Sequence, residues 1–302
     1  MTMTKRQQNL YKNLERQIDK TFKTNKRQAK TGNERYKNSC KEFAKHLAKK
    51  YASQNFRNIR DKHIQSFVKE RKDNQIDAKT IRNDLSAIRK LHSMIDAKHE
   101  LPKNTELDLP AVENKENLID RSWTEEEYKN ALNLAENMNR NDVVNALKLA
   151  KNFGVRINEA TALTSKQLEH ALRDNYLHLE NTKNGVPRDV PIENEEQRES
   201  LKEVLKNSEK GRIFIKHDVS HTKAKAKISD WIYNNRHKFE DKTIDHSNLR
   251  EKSNLTFHGL RHKYARDNFN KNKGNGMTEK QAKFDVSHKL GHGRDAVTNK
   301  YL

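Results

Sequence analysis

Residues 255–262 read LTFHGLRH, and this stretch is the strongest local signal in the 302-residue chain. Apolar residues recur after His258 at Leu260, Tyr264 and Phe269, which predicts a helix beginning near the histidine. Arg261 lies in the first turn of that helix. Arginine donates to two phosphate oxygens at once and keeps its charge, and histidine exchanges protons near neutral pH. The stretch therefore combines residue types that are suited to work on a phosphate.

Three further segments contain residues of the same chemical types. Residues 154–160 read GVRINEA and follow an apolar helical stretch, residues 182–192 read TKNGVPRDVPI, and residues 290–292 read LGH. Tyr301 comes nine positions after His292. Each segment alone is weak evidence, because short motifs of this kind occur by chance. The ordered set, with its spacing, is the informative feature.

These segments together supply what a metal-independent phosphodiester exchange requires. Such a reaction needs a nucleophile, charge stabilisation on the non-bridging oxygens and a proton donor for the departing 5′ oxygen. Arg156 and Arg261 can clamp one phosphate from two sides, and Lys183 at a hairpin tip can reach the leaving oxygen. Tyr301 is a workable nucleophile if nearby positive charge lowers the cost of forming its phenolate.

The four segments resemble, in order, those of the tyrosine recombinase (phage-type integrase) family, and the likeness covers residues from about 122 to 302. Residues 154–160 resemble the segment with the family's first arginine, and residues 182–192 resemble its lysine-bearing β-hairpin. The resemblance implies the following site: Arg156, Lys183 as general acid, His258, Arg261, His292 as a donor to the scissile phosphate and Tyr301 as nucleophile, with Glu159 and His262 in support. It implies no metal and no cofactor.

The resemblance also implies how such a protein works. Two domains close as a clamp around double-stranded DNA, and a homotetramer synapses two DNA sites. Strands are exchanged through a covalent 3′-phosphotyrosine without ATP, with accessory DNA-bending or directionality proteins as further partners. We therefore expect a site-specific recombinase of a mobile genetic element. After Tyr301 only Leu302 follows, where the family usually has a further segment that packs on a neighbouring subunit.

The pattern of apolar residues predicts a mainly α fold with a small antiparallel β-sheet (α+β) in two domains. Residues 1–32 form a basic amphipathic helix or arm, which either binds a second class of DNA site or packs on the following bundle. Residues 33–100 form a helical core DNA-binding domain, and residues 101–121, with Pro102 and Pro110, form a linker. Residues 122–302 form the catalytic domain, with a hairpin whose turn is Asn184-Gly185.

Composition limits the class of protein. Lys and Arg total 62 against 42 Asp and Glu, a net charge of +20, which indicates a polyanionic partner, although a Lys-rich soluble protein is the plainer interpretation. The one cysteine, Cys40, excludes an intramolecular disulfide and a multi-cysteine zinc site, and its apolar helical stripe predicts a core position. No apolar run reaches 18 residues, so we expect no membrane segment and a cytoplasmic, nucleoid-associated protein.

Several alternatives remain open at this stage. Arg156 taken alone is better explained as a surface arginine paired with Glu159; the other motifs favour the catalytic interpretation. A zinc site on His258, His262, His288 and His292 is disfavoured, since no cysteine pair or HExxH motif supports it. A type IB topoisomerase uses similar chemistry as a monomer. A non-catalytic DNA-binding regulator is disfavoured because every expected catalytic position is filled.

Overall fold

Helical spacing of apolar residues runs through most of the sequence, and the computed structural model is mainly helical, as predicted. The structure describes residues 3–24, 30–112, 120–180, 182, 186–208, 211, 213–214, 220–243, 255–291, 298–299 and 301–302. Within these ranges the sheet is a single antiparallel pair of strands, also as predicted. The chain divides into two units, residues 1–113 and 114–302.

The described part of the first unit is a helical bundle. Its helices are α1 (Lys5–Thr24), α2 (Lys30–Lys50), α3 (Asp61–Asp73) and α4 (Ala78–His92), with short 3-10 turns at Phe56–Asn58 and Asn104–Glu106. Helix α4 begins where the Asp77 carboxylate accepts the backbone N–H groups of Lys79 and Thr80, since an aspartate at this position satisfies donors that the helix leaves open.

The core of the first unit forms where apolar stripes of all four helices meet. The rings of Phe43 and Phe67 pack edge to face with their centroids 5.1 Å apart. Cys40 is fully buried in this core, as predicted, and burial raises the pKa of its thiol to about 12, which makes it a poor nucleophile. Leu107, from the stretch predicted as a linker, is buried in the same core.

Helix α1 packs on the bundle, which is one of the two arrangements that the sequence predicted for residues 1–32. Its side chains Leu14, Ile18 and Phe22 are at most 2% exposed and belong to the core of the first unit. The Gln17 side chain donates to the backbone carbonyl of Gln54 at 2.8 Å. The apolar stripe at intervals of four residues is therefore a packing face.

The second unit combines helices with the two-stranded sheet. Its described elements are α5 (Glu125–Asn137), α6 (Asn141–Phe153), α7 (Ile157–Ala160), α8 (Ser165–Asp174), β1 (Tyr176–Leu179), β2 (Arg188–Pro191), α9 (Glu195–Lys206), α10 (His221–Phe239), α11 (Phe257–Gly274) and α12 (Glu279–Leu290). Helix α6 is the most apolar of them, and α5, α9 and α11 pack around it.

The strands β1 and β2 match the predicted hairpin. Tyr176 lies opposite Pro191 and Leu179 lies opposite Arg188, so the two strands run antiparallel. The predicted turn residues Asn184 and Gly185 lie outside the described residues. In the described ranges, no helix combines the length and the hydrophobicity that a membrane crossing requires.

Candidate active site

The end of helix α6 positions the first arginine. Gly154 ends the helix with φ +57°, in the left-handed region that glycine adopts without strain. A Cβ atom at this position would lie 2.4 Å from Cδ1 of Tyr264, so the close approach of α11 also requires glycine. The chain then turns into α7, and Arg156 caps this short helix while the Glu159 carboxylate accepts its backbone N–H at 2.8 Å.

Glu159 is the acceptor around which the basic residues gather. Its side chain is 1% exposed. Oε1 accepts from Nη1 of Arg156 at 2.6 Å, and Oε2 accepts from Nη2 of Arg188 at 2.7 Å. Nη1 of Arg261 lies 3.9 Å from the same Oε2. Three guanidinium groups thus surround one carboxylate, which leaves an excess of positive charge suited to an anion.

Arg261 lies near the start of α11, as its fifth residue, and is completely buried. Its Nη1 donates to the backbone carbonyl of Gly154, and its Nη2 donates to that of Leu290 at 2.5 Å. Burial, together with the neighbouring charges of Arg188 and Arg156, lowers the pKa of Arg261 to about 9. An anion bound here would relieve this unfavourable burial of charge.

Tyr301 lies against this basic cluster. The side chain is 8% exposed, and its hydroxyl is 3.2 Å from Nε2 of His258, a hydrogen bond whose direction depends on the histidine tautomer. The guanidinium carbon of Arg261 is 5.7 Å from the centroid of the phenol ring. A short turn in which the Tyr301 N–H donates to the carbonyl of Thr298 positions the residue.

His262 supports the phenol through its ring face. The two rings stack with centroids 4.4 Å apart and an interplanar angle of 28°. Burial lowers the pKa of His262 to about 3, and the charges of His258 and Arg121 act in the same direction. His262 is therefore neutral at neutral pH.

Arg156 and His258 border an open cleft of about 550 Å³ in the second unit. Ile157, Ile232 and Phe257 supply apolar lining, and Arg236 also lines the cleft, with its guanidinium over the ring of Tyr233. A ligand in this cleft would have the exposed His258 and the half-buried Arg156 at its edge.

Two of the predicted site residues, Lys183 and His292, lie outside the described residues. His292 is also one of the four histidines of the zinc alternative. Lys183 and His292 each have a described neighbour whose contacts are known. Thr182 donates through Oγ1 to the carbonyl of Val186 at 2.6 Å, at the base of the hairpin tip. Gly291 follows Leu290, whose carbonyl accepts from Arg261. Among the described residues, no group of three or more His, Cys, Asp or Glu side chains is arranged to hold a metal ion.

Two family models match the chain. The model for the N-terminal SAM-like domain of phage integrases matches residues 20–99, and the model for the phage integrase family matches residues 121–302. The chain belongs to the phage integrase family. This is the family of the tyrosine recombinases, enzymes that cleave and rejoin DNA, as the resemblance of the motifs predicts.

Solved structures of other integrases and recombinases share the fold. A lambda integrase tetramer bound to a Holliday junction matches with a TM-score of 0.66 at 18% identity, over 95% of this chain and 76% of that chain. The XerH site-specific recombinase bound to its difH substrate matches with a TM-score of 0.60 at 15% identity, over 100% and 94%. The Tn1549 transposon integrase with circular intermediate DNA matches with a TM-score of 0.59 at 17% identity, over 95% and 94%. No curated protein sequence matches this integrase.

Arg188 is a residue of this integrase site to which the sequence analysis assigned no role. Its side chain is 6% exposed and bonds to Glu159 and to the carbonyl of Leu290. The signal was the alternation of the strand: Arg188 and Val190 share the buried face of β2, while Asp189 is exposed. An arginine on a buried strand face requires an acidic partner, although the sequence does not say which one.

Proposed function

We propose that this integrase is a site-specific recombinase of a mobile genetic element, which breaks and rejoins DNA strands through a covalent 3′-phosphotyrosine on Tyr301. One observation carries the proposal. The phenol hydroxyl lies 3.2 Å from His258 Nε2, and its ring lies against the guanidinium group of Arg261 in the same chain. A nucleophile, a proton-exchanging group and a cation for the phosphate thus occupy one place.

In the proposed reaction, the Tyr301 oxygen attacks the scissile phosphorus and forms the P–O bond of the phosphotyrosine. The bond from phosphorus to the 5′ oxygen breaks, and that oxygen takes a proton from Lys183 as general acid. His258 is close enough to receive the phenol proton in the tautomer that has its own proton on Nδ1. Attack of a 5′ hydroxyl on the phosphotyrosine then reverses these steps and rejoins a strand.

The arginines stabilise the charge on the non-bridging oxygens. Arg156 borders the cleft, and the guanidinium carbon of Arg261 lies 5.7 Å from the centroid of the Tyr301 ring, so we assign both arginines as donors to the phosphate that Tyr301 attacks. Glu159 keeps Arg156 in place through two hydrogen bonds. His292 completes the site as a further donor to the phosphate. Because each phosphotyrosine conserves the energy of a phosphodiester, the reaction needs no nucleotide, and the arginines supply the charge that a metal would otherwise provide.

The proposed substrate is double-stranded DNA, and the net charge of +20 favours its phosphates. In the proposed assembly, four protomers synapse two DNA sites. The lambda integrase of similar fold, which was solved as a tetramer on a Holliday junction, supports this assembly. Accessory DNA-bending or directionality proteins are further proposed partners.

The test is covalent trapping on DNA from the ends of the element that contains the gene. The purified protein is incubated in EDTA with a duplex nicked next to the cleavage site, so that the released fragment diffuses away, and the mixture is run on a denaturing gel. We expect a covalent protein–DNA band for the wild type and none for Tyr301→Phe. The matched control Tyr176→Phe alters an exposed tyrosine of β1 and should retain the band. Specific DNA binding without any covalent band would overturn the proposal.

Tyr301→Phe is a clean variant because it leaves the packing in place. It removes the hydrogen bond to His258, which contributes about 1 kcal/mol to stability. The stacking of the ring on His262 does not involve the hydroxyl and should remain. Loss of the band in this variant therefore reports the chemistry of the phenol.

A further inference from the structure

Arg188 makes two different connections with the two ends of its guanidinium group. Nη2 donates to Oε2 of Glu159 at 2.7 Å, and Nη1 donates to the backbone carbonyl of Leu290. Glu159 lies on α7 and Leu290 ends α12, so a side chain of the β-hairpin links two helices that are distant in sequence. A planar fork with donors at both ends is suited to such a bridge.

Arg188 shares one acceptor with each of the two arginines of the proposed phosphate clamp. Oε2 of Glu159 also accepts the backbone N–H of Arg156 at 2.8 Å. The carbonyl of Leu290 also accepts from Arg261 at 2.5 Å. Arg188 therefore fixes the distance between these two acceptors. Because Arg156 and Arg261 bond to the same acceptors, Arg188 also fixes the separation of their guanidinium groups.

The packing of Arg188 also fixes the residue that precedes His292. Gly291 has φ +64°, and a Cβ atom at this position would lie 2.7 Å from Cδ of Arg188. The stem of Arg188 therefore rests directly on the backbone of Gly291. Both ends of the guanidinium are engaged by protein acceptors, and Arg188 is not among the residues that line the cleft bordered by Arg156 and His258.

We infer that Arg188 is a positioning residue for strand cleavage: it holds Arg156 and Arg261 at the spacing that one phosphate requires. This inference rests on the proposed function. Arg188 itself does not touch the DNA. Its replacement should slow the cleavage step without weakening DNA binding, because misplacement of catalytic groups by about 1 Å costs on the order of 100-fold in rate.

The principal test variant is Arg188→Lys, which retains the positive charge. A single ammonium group can donate to Glu159 or to Leu290 but cannot bridge both. The matched control is Arg198→Gln. Arg198 has the same kind of bonding, since its guanidinium donates to the carbonyl of Leu172 at 2.9 Å and to the Asn175 side chain, but it lies away from the arginine cluster. Arg188→Gln, which also removes the charge, is the more severe companion variant.

Single-turnover cleavage of the nicked duplex, DNA affinity and melting temperature are measured for each full-length variant. We expect Arg188→Lys to cleave about 10–100-fold more slowly, with a DNA dissociation constant within about twofold of wild type. Arg198→Gln should lower the melting temperature without slowing cleavage. Should Arg188→Gln fail to fold, Arg188→Lys still decides the matter.

A second substrate distinguishes positioning from a general structural role. A methylphosphonate at the scissile position has one charge fewer, so cleavage depends less on well-placed arginines. The factor by which Arg188→Lys slows cleavage should be at least tenfold smaller on this substrate than on the phosphate. Equal slowing on both substrates, or cleavage at the wild-type rate, would overturn the role of Arg188 and leave the proposed function intact. Absence of any covalent complex with the wild type would overturn both.

Discussion

Replacing Glu159 by Gln should destabilise the second unit strongly. The carboxylate is buried and accepts hydrogen bonds from the backbone and side chain of Arg156 and from the side chain of Arg188. An amide has one oxygen, and its NH₂ group would face an arginine donor. Breaking a buried ion pair by removing one partner costs about 3–5 kcal/mol, which we expect as the loss in unfolding free energy.

The assay is urea unfolding followed by tryptophan fluorescence. Both tryptophans of the chain, Trp123 and Trp231, belong to the core of the second unit, so the signal reports that unit alone. For a unit of this size the same loss corresponds to a fall of about 6–20 °C in melting temperature, at roughly 2–4 °C per kcal/mol. Cleavage by the folded fraction should also fall, because Arg156 loses its partner.

The control is Glu127→Gln. Glu127 is equally buried and accepts the backbone N–H groups of Thr124 at 2.8 Å and Asp241 at 3.3 Å. These two donors bond to different carboxylate oxygens, so the amide keeps one bond and turns its NH₂ group towards the other backbone N–H. Because both donors are neutral backbone groups, we expect a smaller loss than for Glu159→Gln, about 1–3 kcal/mol, and normal cleavage. If Glu159→Gln is no more destabilising than this control, the arginine cluster does not depend on the carboxylate as we argue.

Three further predictions concern the same site. Gly291→Ala should lower the unfolding free energy, measured in urea, by about 1–3 kcal/mol, because φ is positive and the new Cβ would collide with Arg188. A Cβ at Gly274 would meet open space, so the control Gly274→Ala should leave the unfolding free energy nearly unchanged. The folded pKa of His262 is depressed to about 3, so between about pH 6.5 and 3 the unfolded state binds the extra proton. The folded state should therefore become less stable as the pH is lowered through that window, by up to about 1.4 kcal/mol per pH unit. The melting temperature of His262→Phe, measured over the same pH range, should change less with pH than that of the wild type. Lys183→Ala should slow cleavage about 10²–10⁴-fold, and a 5′-thiol leaving group should restore the rate; without that recovery, Lys183 is not the acid.

Local sequence patterns predicted the elements of the site because each has a short-range cause. The hairpin strands follow from alternation, and the helix that begins near His258 follows from the spacing of its apolar residues. The motif residues Arg156, His258, Arg261 and Tyr301 come together in the structure, which the ordered resemblance anticipated. Their roles in catalysis remain predictions until the variants are measured.

Other features depend on contacts that no local pattern contains. The alternation of β2 indicates that Arg188 is buried, but its partners Glu159 and Leu290 are 29 and 102 positions away. The stacking of His262 on Tyr301 likewise depends on how the end of the chain returns to α11. The amphipathic stripe on α1 predicts that one face of the helix is buried, but it does not identify the helices that pack against that face.

The burial of α1 affects how this protein can be divided for experiments. The SAM-like match begins at residue 20, which falls inside that helix. A fragment cut there would lose Leu14 and Ile18. The burial of each of these side chains stabilises the fold by about 1.5–3 kcal/mol. A DNA-binding module meant to fold by itself must therefore start before Lys5, ahead of the boundary that family similarity suggests.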